Sequence, residues 1–149
     1  MRIPPQNLDS EKAFLGSILL RPDAMNEVLD TISPHSFYAE KHRSIFMTMQ
    51  ELFNKGEPID LVSLSTKLKE KSLIDRVGGP TYLAELVNFV PSAANLEHYG
   101  SIIQKKHKMR SLIEAAEQIV HLGYDESGEL EEILQAARFL VNATSSSSN

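Results

Sequence analysis

HYGSIIQKKHKMRSLIEAAEQIVHLGYDESGELEEIL, residues 98–134, holds two apolar periodicities joined by a short break. The spacing predicts a helix from Leu96 to Leu122, capped by Asn95 and stopped by Gly123. At 1.5 Å per residue it would be ~40 Å long, more than a small bundle needs across its diameter. Ser127 is the expected cap of a second helix carrying Leu130, Ile133, Leu134, Ala137, Leu140 and Val141. Two amphipathic helices around a four-residue break read as an αα-hairpin. Such a hairpin offers little core of its own. Its Leu, Ile and Val must therefore be covered by the rest of the chain or by another subunit.

Upstream, helical spacing continues in shorter pieces. Asn7 should cap a helix presenting Leu8, Phe14, Leu15, Ile18 and Leu19, with Pro22 just past its end and Pro4-Pro5 as an extended lead-in. A short helix is expected from about Ala24 to Ile32, then a turn at Ser33-Pro34. Ile45, Phe46, Met49, Leu52 and Phe53 form one stripe that ends at Gly56, a natural residue to follow a helix. Asp60 should cap a helix burying Leu61, Leu64 and Leu68. After a Gly78-Gly79-Pro80 break, Tyr82, Leu83, Leu86 and Val87 share a face, and Val90-Pro91-Ser92 breaks the chain again. The expected fold is all-α: a compact helical head over 1–94, a long antiparallel hairpin over 95–142, and a Ser-rich linker start or tail over 143–149.

The composition narrows the function. The 149 residues carry net charge −5 and no cysteine. The acidic balance disfavours general adhesion to nucleic acid or anionic membrane, and Cys-based zinc sites and disulfides are excluded. The N-terminus does not read as a signal peptide and no apolar run approaches ~18 residues, so a cytoplasmic chain without membrane contact is expected. No phosphate-cradling motif occurs; Gly78-Gly79-Pro80-Thr81 lacks its lysine and its spacing. The five histidines show no metal-ligand spacing. His42, one turn before Ile45 and Phe46, reads as a hydrogen-bonded histidine at a core edge. No catalytic residue, cofactor site or metal site is expected within these residues.

The exception to the acidic balance is the run Lys105, Lys106, His107, Lys108 and Arg110. At 100° per residue these point around most of the helix and cannot form one stripe along a phosphate backbone. A seam through Tyr99, Ile102, Met109 and Ala116 is interrupted at Lys106, which calls for an acidic partner or a snorkelling stem. A turn centred near residue 125 would place Glu129, Glu131 and Glu132 opposite residues 118–121, away from the cations. Two offset hairpins from different subunits would bring the charges together. A solvated charged face and direct nucleic-acid contact are the other readings. Tyr99 fits either a core position or an interface anchor, and Gly100 would permit close approach to the helix.

In order and spacing the residues resemble the N-terminal domain of bacterial replicative DNA helicases of the DnaB type, from Pro4 to about Leu134. The matching positions are Pro4, Pro5, Asn7, Glu11, Leu15, Gly16 and Leu19; then Phe37, His42, Ile45, Phe46, Gly56, Pro58, Ile59, Asp60 and Leu64; and later Gly78, Gly79, Tyr82, Leu83, Pro91, Asn95, Tyr99, Ile102, Arg110 and Ile113. Two departures are Gly100, where alanine is expected, and the apolar ending QAARFLVNATSSSSN.

The resemblance implies a non-catalytic collar on a hexameric ring, assembled through dimers or a trimer of dimers, with ATP and Mg confined to a motor domain that follows a linker. It further implies docking of the primase C-terminal domain. The interface candidates are Tyr99, Ile102, Lys106, Arg110, Leu130 and Ile133. On this view the basic run serves ring assembly, with a lesser role near single-stranded DNA in the full ring. The competing identities are the helicase-binding domain of primase or another helicase-interacting replication protein, and an independent nucleic-acid-binding domain.

Overall fold

The computed structural model describes residues 2–92 and 95–146. Among them the chain forms seven α-helices, two short 3-10 turns and no strand. The helices are α1 (Leu8–Leu20), α2 (Met25–Val28), α3 (Glu40–Asn54), α4 (Leu61–Glu70), α5 (Gly79–Phe89), α6 (Leu96–Tyr124) and α7 (Leu130–Ser146), with 3-10 turns at Pro22–Ala24 and Pro34–Ser36. The chain divides into two compact units, Gln6–Gln104, and Met1–Pro5 with Lys105–Asn149, so the division falls within α6.

In the first unit the helix ends follow side-chain chemistry. The Asn7 and Asp60 carboxamide and carboxylate accept the backbone N–H groups of Ser10 and Ser63, at 2.9 and 2.7 Å. Each thereby satisfies one of the free donors of a first helical turn. Gly56 follows α3 at φ 70°, with Gly56 N bonded to Phe53 O and Glu57 N to Leu52 O, the paired closure of a Schellman motif. Ser72 closes α4 in the same way at φ 61°, through Ser72 N to Lys69 O and Leu73 N to Leu68 O, without glycine's freedom. The segment expected as one helix from Ala24 to Ile32 is instead a 3-10 turn and a single turn of α-helix.

The core of this unit joins Phe14, Leu15 and Ile18 of α1 to Phe37, to Ile45, Phe46, Met49 and Leu52 of α3, and to Leu64, Leu68, Leu83 and Leu86. Phe14, Phe37 and Phe46 contact one another with ring centroids 5.2–5.8 Å apart. Leu96 and Ile103 bury the first turns of α6 in the same core, and Tyr99 packs against it. Gly16 is where α1 meets α5: a Cβ there would meet the Leu86 carbonyl oxygen and Val90 Cγ2. Gly100 lets α6 approach Phe14, whose Cε2 lies 3.3 Å from where a Cβ would sit. Leu8 and Leu61 are exposed, contrary to the apolar faces drawn through them. Each is the first residue of its helix, one turn short of the packed face.

In the second unit, α6 passes through Gly123 and ends at Tyr124, and α7 starts at Leu130. Glycine does not stop the helix there because no positive φ occurs at that position. Ser127 is not the cap of α7. It belongs to the turn, where its N–H and hydroxyl bond the Asp125 carboxylate. Helix α7 continues to Ser146; the last three residues of the Ser-rich tail lie outside the described residues.

Candidate interaction surface

Glu11, Phe37 to Ala39, His42 and Tyr82 form a connected polar network. Glu11 of α1 is buried and takes donors from three places: Tyr38 N at 2.7 Å, Ala39 N at 3.3 Å and His42 Nδ1 at 2.7 Å. With Nδ1–H donating to the carboxylate, His42 Nε2 is left to accept the Tyr82 hydroxyl, 2.6 Å away on α5. Lys41 Nζ sits 3.9 Å from the centre of the Tyr82 ring. Burial first, then the Glu85 and Glu11 carboxylates, push the Tyr82 hydroxyl up to about 12. A Glu–His–Tyr chain has the look of acid–base machinery. Here every member is spent tying α1, the 37–39 segment, α3 and α5 together, which is the core-edge role expected of His42. Among the described residues no group of three or more His, Asp or Glu side chains could hold a metal ion.

The six interface candidates fall in different places. Tyr99 and Ile102 are half-buried in the Gln6–Gln104 unit, Tyr99 against its core. Lys106, Arg110, Leu130 and Ile133 belong to the other unit. Arg110 is engaged within the chain: its Nη1 donates to the Pro5 carbonyl at 2.8 Å and ties the N-terminal segment to α6. Ile133 is half-buried and fills the space a side chain at Gly128 would occupy. Leu130 is 67% exposed. The six are thus divided between the two units.

The hairpin register also differs from the expected one. Gln118, His121 and Leu122 share a groove of about 430 Å³ with Ala136, Phe139 and Leu140. Residues 118–122 therefore face the middle of α7, and Glu129, Glu131 and Glu132 sit at the hairpin's turn beside Asp125 and Glu126. The Ser127 hydroxyl and amide hold the exposed Asp125 carboxyl below its ordinary range. The ion pairs Glu11–His42, Arg21–Glu27, Glu51–Lys71 and Lys67–Glu70 all lie in the Gln6–Gln104 unit. Neither the lysines at 105, 106 and 108 nor the carboxylates at the turn have one.

The periodicity missed how much apolar surface the hairpin leaves open. Met109, Leu112, Ile113, Val120 and Tyr124 of α6 are exposed, as are Leu134, Phe139 (72%) and Val141 of α7. Exposed apolar side chains in this number make the hairpin a candidate interaction surface.

The comparisons say which family presents this surface. Residues 3–105 match the model described as the DnaB-like helicase N terminal domain. The chain belongs to the DnaB-like helicase N-terminal domain family. It is 40% identical over 136 residues to the replicative DNA helicase DnaC of Bacillus subtilis, and 38% identical to the replicative DNA helicase DnaB of Geobacillus stearothermophilus. Each match takes in 91% of this chain, which spans about 30% of the length of these curated relatives. Among solved structures, the N-terminal domain of DnaB helicase from Mycobacterium tuberculosis superposes with a TM-score of 0.89 at 35% identity, covering 95% of this chain and 99% of that one. A DnaB-like replicative helicase, described with its interactions with primase, superposes at 0.75 and 29% identity, covering 90% of this chain and 31% of that one. The family matched is that of the helicase N-terminal domain, so the reading as the helicase-binding domain of primase is set aside.

Proposed function

We propose that the chain is the N-terminal collar of a hexameric replicative DNA helicase, acting in ring assembly and in docking the C-terminal domain of primase. The observation that carries this reading is the open apolar surface of the hairpin, with Leu130 and Phe139 among its most exposed members. The likeness to a helicase described with its interactions with primase supports the docking half. The architecture proposed is a helical head over 1–94 followed by a hairpin over 95–142 that engages partners. ATP hydrolysis with Mg belongs to a motor domain beyond this chain, and the setting is the cytoplasm; among the described residues no helix is long and apolar enough to cross a membrane.

Of the interface candidates, Leu130 is the strongest for primase docking, with Ile133 beside it. Lys106 belongs to self-assembly. Tyr99, Ile102 and Arg110 support the surface from within their own units. Single-stranded DNA in the full ring is a minor partner at most, because Arg110 is already bonded to Pro5.

The test is a calorimetric titration with the isolated C-terminal domain of primase, beside light scattering of the chain alone. Saturable binding and a mass above the monomer are expected. A strict monomer at high concentration that gives no binding heat at two temperatures would reject the reading.

A further inference from the structure

A cavity of about 330 Å³ lies within the Gln6–Gln104 unit, between α6 and the segment that runs from α2 to Ile32. Glu97, Gly100, Ser101 and Gln104 line it from α6, and their spacing puts them on one face of that helix. Opposite them, Val28 and Ile32 are each only 3% exposed and make an apolar floor. A Cβ at Gly100 would come within 3.8 Å of Ile32 Cδ1, so the glycine keeps that floor open.

The polar part of the lining consists of acceptors and hydroxyls. Glu27, Thr31, Glu97 and Ser101 are exposed around the mouth, and no lysine, arginine or histidine lines the cavity among the described residues. Glu27 already holds a guanidinium, because Arg21 Nη2 donates to its Oε2 at 2.7 Å. Glu97 makes no ion pair among the described residues. The Gln104 side-chain oxygen is buried and accepts no hydrogen bond among them. Buried acceptors in folded proteins are nearly always satisfied, so an unmet one beside a cavity calls for a donor.

We propose that this cavity binds a small alkylguanidinium cation. The planar head presents several N–H donors in a fixed fork. They meet the Glu97 carboxylate and the Gln104 oxygen, which the broad terminal torsion of glutamine lets turn towards them. The apolar stem lies over Val28, Ile32 and the backbone at Gly100. Glu27 stays paired with Arg21, so Glu97 supplies the charge that selects a cation. The lining offers an anion no positive charge, and a purely apolar ligand would leave the Gln104 oxygen unmet. The volume stands at the small end of the range for ligand sites, which suits a ligand with a short stem.

The test is a titration of the isotope-labelled chain with butylguanidinium, read in amide NMR spectra. The Thr31, Gly100 and Ser101 amides and the Gln104 side-chain NH2 should shift together and saturate, with a dissociation constant of about 1 mM. Butylurea, of the same shape without the charge, should bind about fivefold more weakly or worse. Glu97→Gln should weaken butylguanidinium by a similar factor and leave butylurea unchanged. Gly100→Ala puts a methyl group at the floor and should weaken both, with circular dichroism checking that helicity is kept. Agmatine and N-acetylarginine amide then distinguish the source of the cation. Tighter binding of agmatine assigns a free small molecule, and tighter binding of the capped residue assigns an arginine side chain of a polypeptide.

Equal affinity for butylurea and butylguanidinium, or a guanidinium affinity that Glu97→Gln does not change, would overturn the cation site and leave an apolar hollow. Shifts that do not saturate, or that fall only on residues away from the cavity, would overturn binding there altogether.

Discussion

His42 Nδ1 lies 2.7 Å from Glu11 Oε1 although 31 residues separate the two in sequence, and both side chains are buried. The carboxylate also accepts the Tyr38 and Ala39 amides and so ties the segment after Phe37 to α1. Glu11→Ala should therefore cost about 3–5 kcal/mol, the range for removing one partner from a buried polar pair. A urea titration will read this as a lower midpoint at unchanged slope. Glu11→Gln keeps an acceptor oxygen and should lose less. Equal losses for the two variants would mean the site matters by volume rather than by hydrogen bonding.

Gly16 makes a sharper case than Gly100, though both lie on packed helix faces. A methyl group at Gly16 runs into a backbone carbonyl, which cannot rotate away, so Gly16→Ala should cost about 3 kcal/mol or more. At Gly100 the neighbour is the edge of the Phe14 ring, 3.3 Å away, and alanine gains about 1 kcal/mol in helix propensity. The two effects at Gly100 should nearly cancel, leaving Gly100→Ala within about 1 kcal/mol of the parent. Thermal unfolding of both variants, compared at one temperature, separates them.

Ser72 holds a left-handed conformation at φ 61° to close α4. That conformation costs a non-glycine residue roughly 1–2 kcal/mol. Part of the gain from glycine is lost to its freer unfolded chain. Ser72→Gly should therefore stabilise by about 0.5–1 kcal/mol in chemical denaturation. No gain would mean that the serine makes up the strain in some other way.

Local chemistry was legible in the sequence, and long-range chemistry was not. Asn7, Asp60 and Gly56 act within four residues of their own positions, so the caps and the closure of α3 could be read directly. Gly123 misled because a glycine ends a helix only when its φ turns positive, and a sequence does not show φ. Ser127 misled because Asp125, two residues away, captured its hydroxyl and amide first. The link between Glu11 and His42 depends on the crossing of α1 and α3, which no periodicity encodes. The seam of α6 was visible as spacing. Which of its apolar residues the chain itself covers depends on where α7 docks, so exposure separated Leu130 from Tyr99 only in the folded molecule.

The Tyr82 hydroxyl titrates near 10 in an unfolded chain and at about 12 in the folded one. Between these values the unfolded state has released a proton that the folded state retains. The folded state thus binds more protons, and stability falls as pH rises from about 10 towards 12. Below pH 10 the contribution is present in full. Denaturation midpoints measured across that window should decline with a slope of up to one proton, and Tyr82→Phe should remove that part of the decline. The same substitution leaves His42 Nε2 without its donor and should cost about 1–2 kcal/mol at neutral pH. A decline that persists unchanged in Tyr82→Phe would assign it to other groups.

Leu130→Ala and Tyr99→Ala separate docking from folding. Leu130 stands 67% exposed at the start of α7, where truncation removes few contacts, so its variant should unfold within about 0.5 kcal/mol of the parent. If Leu130 anchors primase, the same change should weaken the calorimetric titration at least tenfold, because exposed aliphatic anchors act only once a partner buries them. Tyr99 packs against the core of its unit and should lose about 2 kcal/mol or more of stability on truncation to alanine. Any loss of binding in Tyr99→Ala is then confounded by folding, whereas a loss in Leu130→Ala is not. Unchanged affinity in Leu130→Ala, with helicity intact, would move primase docking away from the start of α7 and make Phe139, the other strongly exposed side chain on that helix, the next position to truncate.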